Sequence, residues 1–363
     1  MRILIWSWKR QGGGLRCGYE LARALTEVAG VHVGTFTIEG NSLSDEFSEL
    51  PFALKWVAHG GSRPTQMLQN LPKLRGNMAQ VLGTFRPDCV VSPMECVWHA
   101  FASDLVRARS VRYVSILHEP ARRTGNGFGG GALGQWLMGR DLARADSILC
   151  LSSYVANLVS SRFRGSQSIW TRVHPTFQST EQLTRRRIQL RSPRLLFFGR
   201  TTPSKGLDLL LRSFALVKGV IPGAQLRIAG GGGRLSVEFP LQMAVSIVSG
   251  YVPESEIAAH LGWADLVVLP YRNATQSGVA AWATGAGVPC VATPVGALPE
   301  QIIDGVNGVV ASGISATEIA DAVLDALGTE GRYSALQIGA KSMAKELSWR
   351  KFSAELVDYL RGG

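Results

Sequence analysis

The chain has 363 residues, of which 46 % are hydrophobic and 18 % are charged, so it can bury a sizeable core and its length favours two domains over one. It contains no apolar run near the ~18 residues of a membrane span, and its start, MRILIWSWKRQGGG, is charged too early for a signal peptide. Five scattered cysteines without a C-x-x-C pair are typical of reduced, buried thiols. We therefore expect a cytoplasmic protein without a structural metal.

The net charge of +11 is concentrated in one segment. Residues 107–194 hold 15 arginines, no lysine and 4 acids, which accounts for the whole excess. An anionic membrane surface, a phosphorylated substrate or nucleic acid could each explain this charge, as could a merely solvated surface. Because no helix-turn-helix, RNA-recognition or zinc-finger pattern is present, we favour phosphates or lipid headgroups and expect no nucleic acid partner.

Strand and helix signals alternate through the first half. The apolar run 2–6 predicts a buried strand, the glycine-rich stretch 11–14 predicts a loop, and an apolar face from Leu21 to Val28 predicts a helix that ends at Gly30. Further strands are predicted at 31–38, 89–92, 111–117 and 147–150. Residues 121–135 contain six glycines, which indicates a flexible loop and favours a mobile lid.

A polar, arginine-rich stretch at 174–193 is typical of a linker, and a second alternation begins after it. Strands are predicted at 194–198, 226–229, 245–251, 266–269 and 288–293, with helices at 206–218, 254–262 and 278–287. We therefore predict an α/β protein of two Rossmann-like, doubly wound parallel-sheet domains that face each other across a cleft. The predicted divisions are 1–173, the linker 174–193, 194–345, and a C-terminal helix within 346–363 that packs back toward the first domain.

Two polar loops of the second half follow predicted strands and open predicted helices. One is ATQSG, residues 274–278, and the other is FGRTTPSKG, which contains Arg200 and Lys205. In parallel sheets a ligand lies beyond the carboxyl ends of the strands, and helix N-termini bind anions, so both loops can hold a diphosphate. For ATQSG the alternative is an ordinary loop between strand and helix, and for Arg200 and Lys205 it is two solvated surface cations.

The first half offers two further candidates. Gly12, Gly13 and Gly14 with Gly18 approach a dinucleotide fingerprint whose spacing is one residue too long, and a tight turn explains the glycines equally well. His118 ends an apolar run, and its ring could hydrogen-bond a hydroxyl or act as a base. A satisfied structural histidine is the alternative.

The strongest indication comes from segments spread over nearly the whole chain. They are GGGLRCGYELARAL, LHEP, ADSILCLSSYV, FGRTTPSKGLDLLLRSF, LRIAGGGG, VSGYVPESEIAAHLGWADLVVLPY and GVPCVATPVGALPEQIIDGVNGVV. Together and in this order they resemble the retaining GT-B glycosyltransferases of sequence family 4, the group 1 transferases, most strongly between 198 and 310. The resemblance implies transfer of a sugar from a UDP- or GDP-linked donor to an acceptor hydroxyl, with retention and without a metal or other cofactor.

The resemblance also implies roles for the matching residues. Arg200 and Lys205 would contact the donor diphosphate and the histidine matching His118 would lie beside the sugar, so these three are the implied catalytic residues. The implied donor-binding residues are Gly13, Gly14, Gly250, Tyr251, Val252, Thr275, Gln276, Ser277, Gly278 and Val279. Electrostatic stabilisation of the leaving phosphate would then be the dominant catalytic effect.

One stretch departs from the family pattern. Most members carry Glu-x7-Glu before the G-x-P step, and here those two positions hold Ala274 and Trp282. The letters ATQSGV at 274–279 match a branch of the family, in which polar side chains and backbone amides would replace the first carboxylate. Trp282 leaves the usual ribose contact without a carboxylate.

The sequence therefore favours a cytoplasmic glycosyltransferase of polysaccharide or glycolipid synthesis with a saccharide or lipid-linked acceptor. Its arginine-rich segment, 107–194, would place it peripherally on anionic lipid. Three alternatives stay open: an NAD-dependent oxidoreductase, a sugar-nucleotide epimerase, and a homologue that binds nucleotide sugars without catalysis. The imperfect glycine spacing argues against the first, and Ala274 and Trp282 motivate the last.

Overall fold

The computed structural model describes residues 1–51, 53–59, 63–119, 131–162, 167–178, 188–232 and 244–362. The chain divides into two compact units, Met1–Arg172 with Trp349–Gly363, and Val173–Ser348, which we call unit 1 and unit 2. Most of the predicted glycine-rich lid falls on 120–130, and part of the predicted linker falls on 179–187. Both stretches lie outside the described residues.

Unit 1 is built on a parallel sheet of seven strands in the order β3-β2-β1-β4-β5-β6-β7. Its described elements are β1 Arg2–Ser7, α1 Gly13–Thr26, β2 His32–Ile38, α2 Ser44–Glu49, β3 Ala53–Ala58, α3 Pro64–Gln69, α4 Leu71–Phe85, β4 Cys89–Ser92, α5 Ser103–Arg107, β5 Arg112–Leu117, α6 Ala132–Leu142, β6 Ser147–Cys150, α7 Ser153–Arg162, β7 Ser168–Thr171 and the C-terminal helix α14 Trp349–Gly362.

The central strands of unit 1 are buried along nearly their whole length, as expected for a parallel sheet that helices cover on both faces. In β1, for example, five of the six residues are buried. The C-terminal helix α14 packs on α1, and its Tyr359 ring stacks on Trp170 of β7 with ring centroids 5.0 Å apart. The last helix of the chain is therefore part of the first unit.

A buried polar pair lies inside unit 1. The Tyr113 hydroxyl, on β5, donates to the Asp141 carboxylate of α6 at 3.1 Å. Burial raises the pKa of Asp141 to about 7, while hydrogen bonds from Ser103 and Tyr113 act in the opposite direction. Because the folded state favours the protonated acid, Asp141 costs stability at neutral pH.

Unit 2 is built on a parallel sheet of six strands in the order β10-β9-β8-β11-β12-β13. Its described elements are β8 Arg194–Phe198, α8 Leu207–Val220, β9 Gln225–Gly230, β10 Val245–Ser249, α9 Glu254–Trp263, β11 Leu266–Leu269, α10 Gly278–Gly285, β12 Cys290–Ala292, α11 Leu298–Gln301, β13 Gly308–Val310, α12 Ala316–Ala326 and α13 Glu330–Glu346.

Each sheet has one position where the direction of strand addition reverses. In unit 1 it lies between β1 and β4, and in unit 2 between β8 and β11. In open parallel sheets the loops at the carboxyl ends of such a strand pair separate and leave a crevice for a ligand. A ligand site is therefore expected at each of these two positions.

The predicted α/β fold with two parallel-sheet domains is confirmed. The prediction missed β3, β7 and β13, which are all edge strands, and it placed Gly13 and Gly14 in a loop although α1 begins at Gly13. All five cysteines are buried with free thiols. Within the described ranges, no helix is both long and apolar enough to span a bilayer.

Candidate functional site

The two predicted anion loops of unit 2 meet at the switch point between β8 and β11. Gly206 ends the loop after β8, and a Cβ atom on it would overlap the carbonyl oxygen of Pro270, the residue after β11. The Arg272 N–H donates to the Ser204 carbonyl at 2.9 Å, and its guanidinium pairs with Asp208 of α8 at 2.7 Å. These contacts hold the two loops together at the edge of the sheet where ligands bind.

The predicted catalytic cations of unit 2 lie on this joined surface. Arg200 is exposed and follows Gly199, whose Cβ position lies 3.3 Å from Val279 at the start of α10. Lys205 is half-buried, and its Nζ lies 3.6 Å from the centroid of the Tyr271 ring. An aromatic face attracts a cation, so the Tyr271 ring holds the Lys205 ammonium group at this edge of the sheet.

The Tyr271 ring lies against the Lys205 ammonium group. The Tyr271 side chain is 1 % exposed, and burial raises the pKa of its hydroxyl to about 12. The Thr293 hydroxyl, after β12, donates to the Tyr271 carbonyl at 2.6 Å. The hydroxyl is therefore neutral at physiological pH, and the buried ring with its anchored backbone gives the ammonium group a platform.

Helix α10 begins in the predicted ATQSG loop. The Ser277 hydroxyl caps the helix by accepting from the Ala280 N–H at 3.2 Å. Gln301 of α11 binds both backbone groups of Ser277: its Oε1 accepts from the Ser277 N–H at 2.7 Å, and its Nε2 donates to the Ser277 carbonyl at 3.1 Å. The first N–H groups of a helix have no acceptor inside it, so those of Gly278 and Val279 can face an anion.

The side chains of Thr275 and Gln276 are half-buried within the same loop. The structure thus brings together five of the predicted donor-binding residues, at 275–279, with Arg200 and Lys205. All of them lie on one edge of unit 2.

The remaining donor-binding candidates of unit 2 follow β10, two strands away from β8. Gly250 has a φ of 116° and donates its N–H to the Gly230 carbonyl at the end of β9 at 3.2 Å. Tyr251 is 59 % exposed, whereas Val252 is buried. Glycine adopts this positive φ without strain, which allows the backbone to turn at residue 250. The exposed Tyr251 then lies beyond the carboxyl edge of the sheet.

The two positions that depart from the family pattern are buried. Trp282, on α10, is 8 % exposed, and its ring packs on Phe177 with centroids 5.2 Å apart. Ala274 is 5 % exposed, and its carbonyl accepts the Ala297 N–H at 3.1 Å. Trp282 fills space in the interior of unit 2, and an indole offers no acceptor for a ribose hydroxyl.

The glycine candidates of unit 1 lie at the other switch point. Gly12 is the N-cap of α1, with a φ of 90°, and Gly13 and Gly14 are the first two helical residues. A Cβ atom on Gly14 would overlap the side chain of Met94, in the loop after β4, while nothing lies within 4 Å of the Cβ position of Gly13. Gly14 thus lets α1 approach that loop, and Gly13 leaves open space at the helix N-terminus.

His118 follows β5 at the same edge of unit 1 and is 1 % exposed. Its Nε2 lies 2.9 Å from the Pro93 carbonyl oxygen. Because a carbonyl only accepts, Nε2 carries the proton, and Nδ1 of a neutral ring is then an acceptor. The structure places the ring at the switch point, in a hydrogen bond that fixes its orientation.

Glu95 was not predicted from the sequence. It is 5 % exposed in the loop after β4, and its carboxylate accepts the backbone N–H groups of His118 at 3.0 Å and Glu119 at 3.2 Å. Burial raises the pKa of Glu95, whereas the His118 N–H and the charge of Lys9 lower it. Its position three residues after β4, a fully buried strand beside β1, was the available signal.

Several arginines of the predicted basic surface have partners inside the fold. Arg112 donates to the Leu360 carbonyl at 3.0 Å, Arg144 to the Ala100 carbonyl at 2.7 Å, and Arg172 pairs with Glu355 at 2.7 Å. These three side chains bind other parts of unit 1. The arginines at 122–123, 164 and 185–187 lie outside the described residues.

Known structures define the class of fold. Sucrose-phosphate synthase from Thermosynechococcus elongatus superposes with a TM-score of 0.74 over 99 % of this chain and 98 % of that one, at 16 % identity. HepE of Anabaena in complex with UDP-glucose gives a TM-score of 0.73 over 99 % and 100 % of the two chains, at 14 % identity. With two parallel-sheet α/β units, the fold is GT-B.

The sequence matches identify the family. The family model described as "Glycosyl transferase 4-like domain" matches residues 12–175, and the model "Glycosyl transferases group 1" matches residues 192–329. Between them they span most of both units. The chain therefore belongs to the group 1 glycosyltransferase family.

Two curated relatives are similar over part of their length. The GDP-mannose-dependent alpha-(1-6)-phosphatidylinositol monomannoside mannosyltransferase of Mycobacterium tuberculosis is 27 % identical over 238 residues, which cover 60 % of this chain and 62 % of the relative. The D-inositol 3-phosphate glycosyltransferase of Saccharomonospora viridis is 31 % identical over 182 residues, which cover 46 % and 42 %. The match thus spans less than two thirds of either relative.

Proposed function

We propose that this protein transfers a sugar from a nucleotide diphosphate sugar to an acceptor hydroxyl in the synthesis of a polysaccharide or glycolipid. The observation that carries the proposal is the joined surface at the switch point of unit 2. There Arg200, Lys205 and the N-terminus of α10 can all face one diphosphate. Membership of the glycosyltransferase family supports the same activity.

The proposed chemistry concentrates negative charge on the leaving nucleotide diphosphate as the glycosidic bond breaks. A guanidinium can bind two phosphate oxygens at once, an ammonium adds a point charge, and helix N–H groups add a fixed dipole. These groups are in place before the reaction, so they stabilise the developing charge without reorganising. In this proposal they take the place of a metal ion.

We assign the acceptor to unit 1. The family resemblance places the histidine that matches His118 beside the sugar, and the hydrogen bond between its Nε2 and the Pro93 carbonyl oxygen fixes the orientation of its ring. Glu95 fixes the backbone at 118 and is a positioning residue for that ring. Retention of the anomeric configuration would follow if the leaving phosphate accepts the proton of the acceptor hydroxyl on the face from which it departs.

The direct test is a panel of UDP- and GDP-sugars in which the release of the free nucleotide diphosphate is measured. One donor should give turnover, and Lys205→Ala should lower kcat for that donor about 10²- to 10³-fold, by analogy with the loss of one preorganised stabiliser. Lys345→Ala, an exposed lysine in the last turn of α13, is the matched control and should leave kcat unchanged. Equal kcat in both variants contradicts the donor-site assignment.

Two finer parts of the proposal have separate tests. The anomeric configuration of the product, read by NMR coupling constants, decides between retention and inversion. Full turnover in the presence of a chelator is expected if cations of the protein replace the metal. Peripheral association with anionic lipid is a further expectation from the arginines at 107–194, and it predicts salt-sensitive cosedimentation with anionic vesicles.

A further inference from the structure

A pocket in unit 1 is independent of the donor surface of unit 2. It has a volume of about 220 Å³ and lies at the carboxyl ends of β1, β2 and β4, between the loop after β1, the start of α3 and the loop after β4. Sites for drug-sized ligands occupy about 300–1,000 Å³. This pocket therefore fits a small ligand or part of one rather than an extended chain.

Three positively charged side chains line the pocket. Lys9 and Arg10 come from the loop after β1, and Arg63 precedes α3. Of the described residues that line the pocket, none is acidic. Arg10 is oriented by a hydrogen bond of 2.7 Å to the Glu39 carbonyl, and the Glu39 carboxylate itself is turned to His59 at 2.8 Å. The arrangement favours an anion.

Two tryptophans form the apolar part of the walls. Trp8 is 3 % exposed, and its buried indole N–H donates to no acceptor among the described residues. Trp98 is half-buried and lies on the opposite loop. The half-buried indole of Trp98 offers an apolar face to the C–H groups of a polyol or sugar ring.

The pocket adjoins the predicted acceptor site. Cys96 and Val97 line it, and the residue before them, Glu95, binds the backbone N–H of His118. Lys9 is close enough to act electrostatically on the Glu95 carboxylate. A ligand anchored by the cations of the pocket would thus extend toward His118.

We propose that this pocket binds a phosphate group on the acceptor, a phosphate ester of a small ring or polyol, through Lys9, Arg10 and Arg63. The inference rests on the proposed function, which it deepens by giving the acceptor a chemical class. Guanidinium groups bind two oxygens of a phosphate, and the tryptophans would cover the attached ring. The phosphate can belong to a free ester or to a lipid headgroup.

The test measures binding to the full chain without requiring turnover. Glucose 6-phosphate is titrated calorimetrically, with glucose as the uncharged control, and vesicles containing phosphatidylinositol are cosedimented against pure phosphatidylcholine vesicles. Lys9→Gln and Arg63→Gln should each weaken binding of the ligand about tenfold or more, as expected for one charge-assisted contact. Arg109→Gln, an exposed arginine of unit 1 outside the pocket, should bind as the parent protein does.

The outcomes distinguish a free phosphate ester from a lipid headgroup, and they distinguish the pocket proposal from the proposed function. Weakened binding of the soluble ester supports a free phosphorylated acceptor, and weakened binding of phosphatidylinositol vesicles alone supports a lipid headgroup. If neither probe binds, or if both pocket variants bind like the parent protein, the inference is wrong. Nucleotide diphosphate release from the donor panel is measured separately, so a failure of the proposed function and a failure of the pocket are distinguishable.

Discussion

Replacing Gly206 by alanine tests whether the joined loops at the unit 2 switch point build the donor surface. Gly206 has a φ of 66° and caps α8, and an added Cβ would overlap the Pro270 carbonyl oxygen. The left-handed backbone costs an L-residue about 1–2 kcal/mol. Because the obstacle is backbone, relief of the overlap must move the loop after β11, at a further cost of about 1–3 kcal/mol.

We therefore expect Gly206→Ala to lower the free energy of unfolding of unit 2 by about 2–5 kcal/mol. It should also raise the KM for the donor, since movement of Pro270 carries the Tyr271 platform away from Lys205. Gly219→Ala, in the same helix with nothing within 4 Å of its Cβ position, is the matched control. It should be neutral or stabilise by up to ~1 kcal/mol.

Denaturant unfolding followed by circular dichroism measures the first effect, and initial rates of nucleotide diphosphate release measure the second. If Gly206→Ala unfolds at the same denaturant concentration as Gly219→Ala, the two loops are not packed as described. If it is destabilised but keeps the parent KM, the packing is correct and the loops do not position the donor.

Three further perturbations probe single contacts. Tyr271→Leu should lower kcat/KM for the donor about 2- to 30-fold, because a cation–π contact of about 0.5–2 kcal/mol with Lys205 is lost. Tyr271→Phe keeps the ring, so its kcat/KM should stay within about twofold of the parent value. Gln301→Leu should destabilise unit 2 by about 1–3 kcal/mol in denaturant unfolding, since it leaves the buried N–H of Ser277 without an acceptor. Parental stability would mean that water replaces the amide oxygen. Asp141→Asn should raise the stability of unit 1 at pH 8. The pKa of Asp141 is raised from its ordinary value of 3.8 to about 7, so the parent should lose stability relative to the variant as the pH rises from about 4 to 7. A difference in stability that does not change with pH would contradict this.

The sequence predicts the interior strands well and the edge strands poorly. Strands 89–92, 147–150, 194–198 and 266–269 are predicted with the bounds that the structure has, because each is a short run of mainly apolar, almost fully buried residues. The edge strand β3 has one buried residue out of six, and β7 has none. An edge strand needs no continuous apolar run, so its signal does not rise above that of a loop.

Some residues of the candidate sites could be predicted from the sequence and others could not. Positions that follow directly from chain order, such as Arg200 and Lys205 between a strand and a helix, could be placed from the sequence because parallel strands end at one edge. Contacts between loops that are distant in the chain could not. Glu95 reaches residues 23 and 24 positions later, and Gln301 binds a residue 24 positions earlier, through register that only the folded sheet determines.

The two missing carboxylates give the proposed donor site an unusual balance of charge. Ala274 and Trp282 are both buried, so the wall formed by the ATQSG loop and α10 presents Ser277, backbone N–H groups and no acid at these positions. In the proposed site Arg200, Lys205 and the helix N-terminus would all act on the diphosphate. Donor affinity should then fall with ionic strength, because exposed Arg200 and half-buried Lys205 are open to screening by salt.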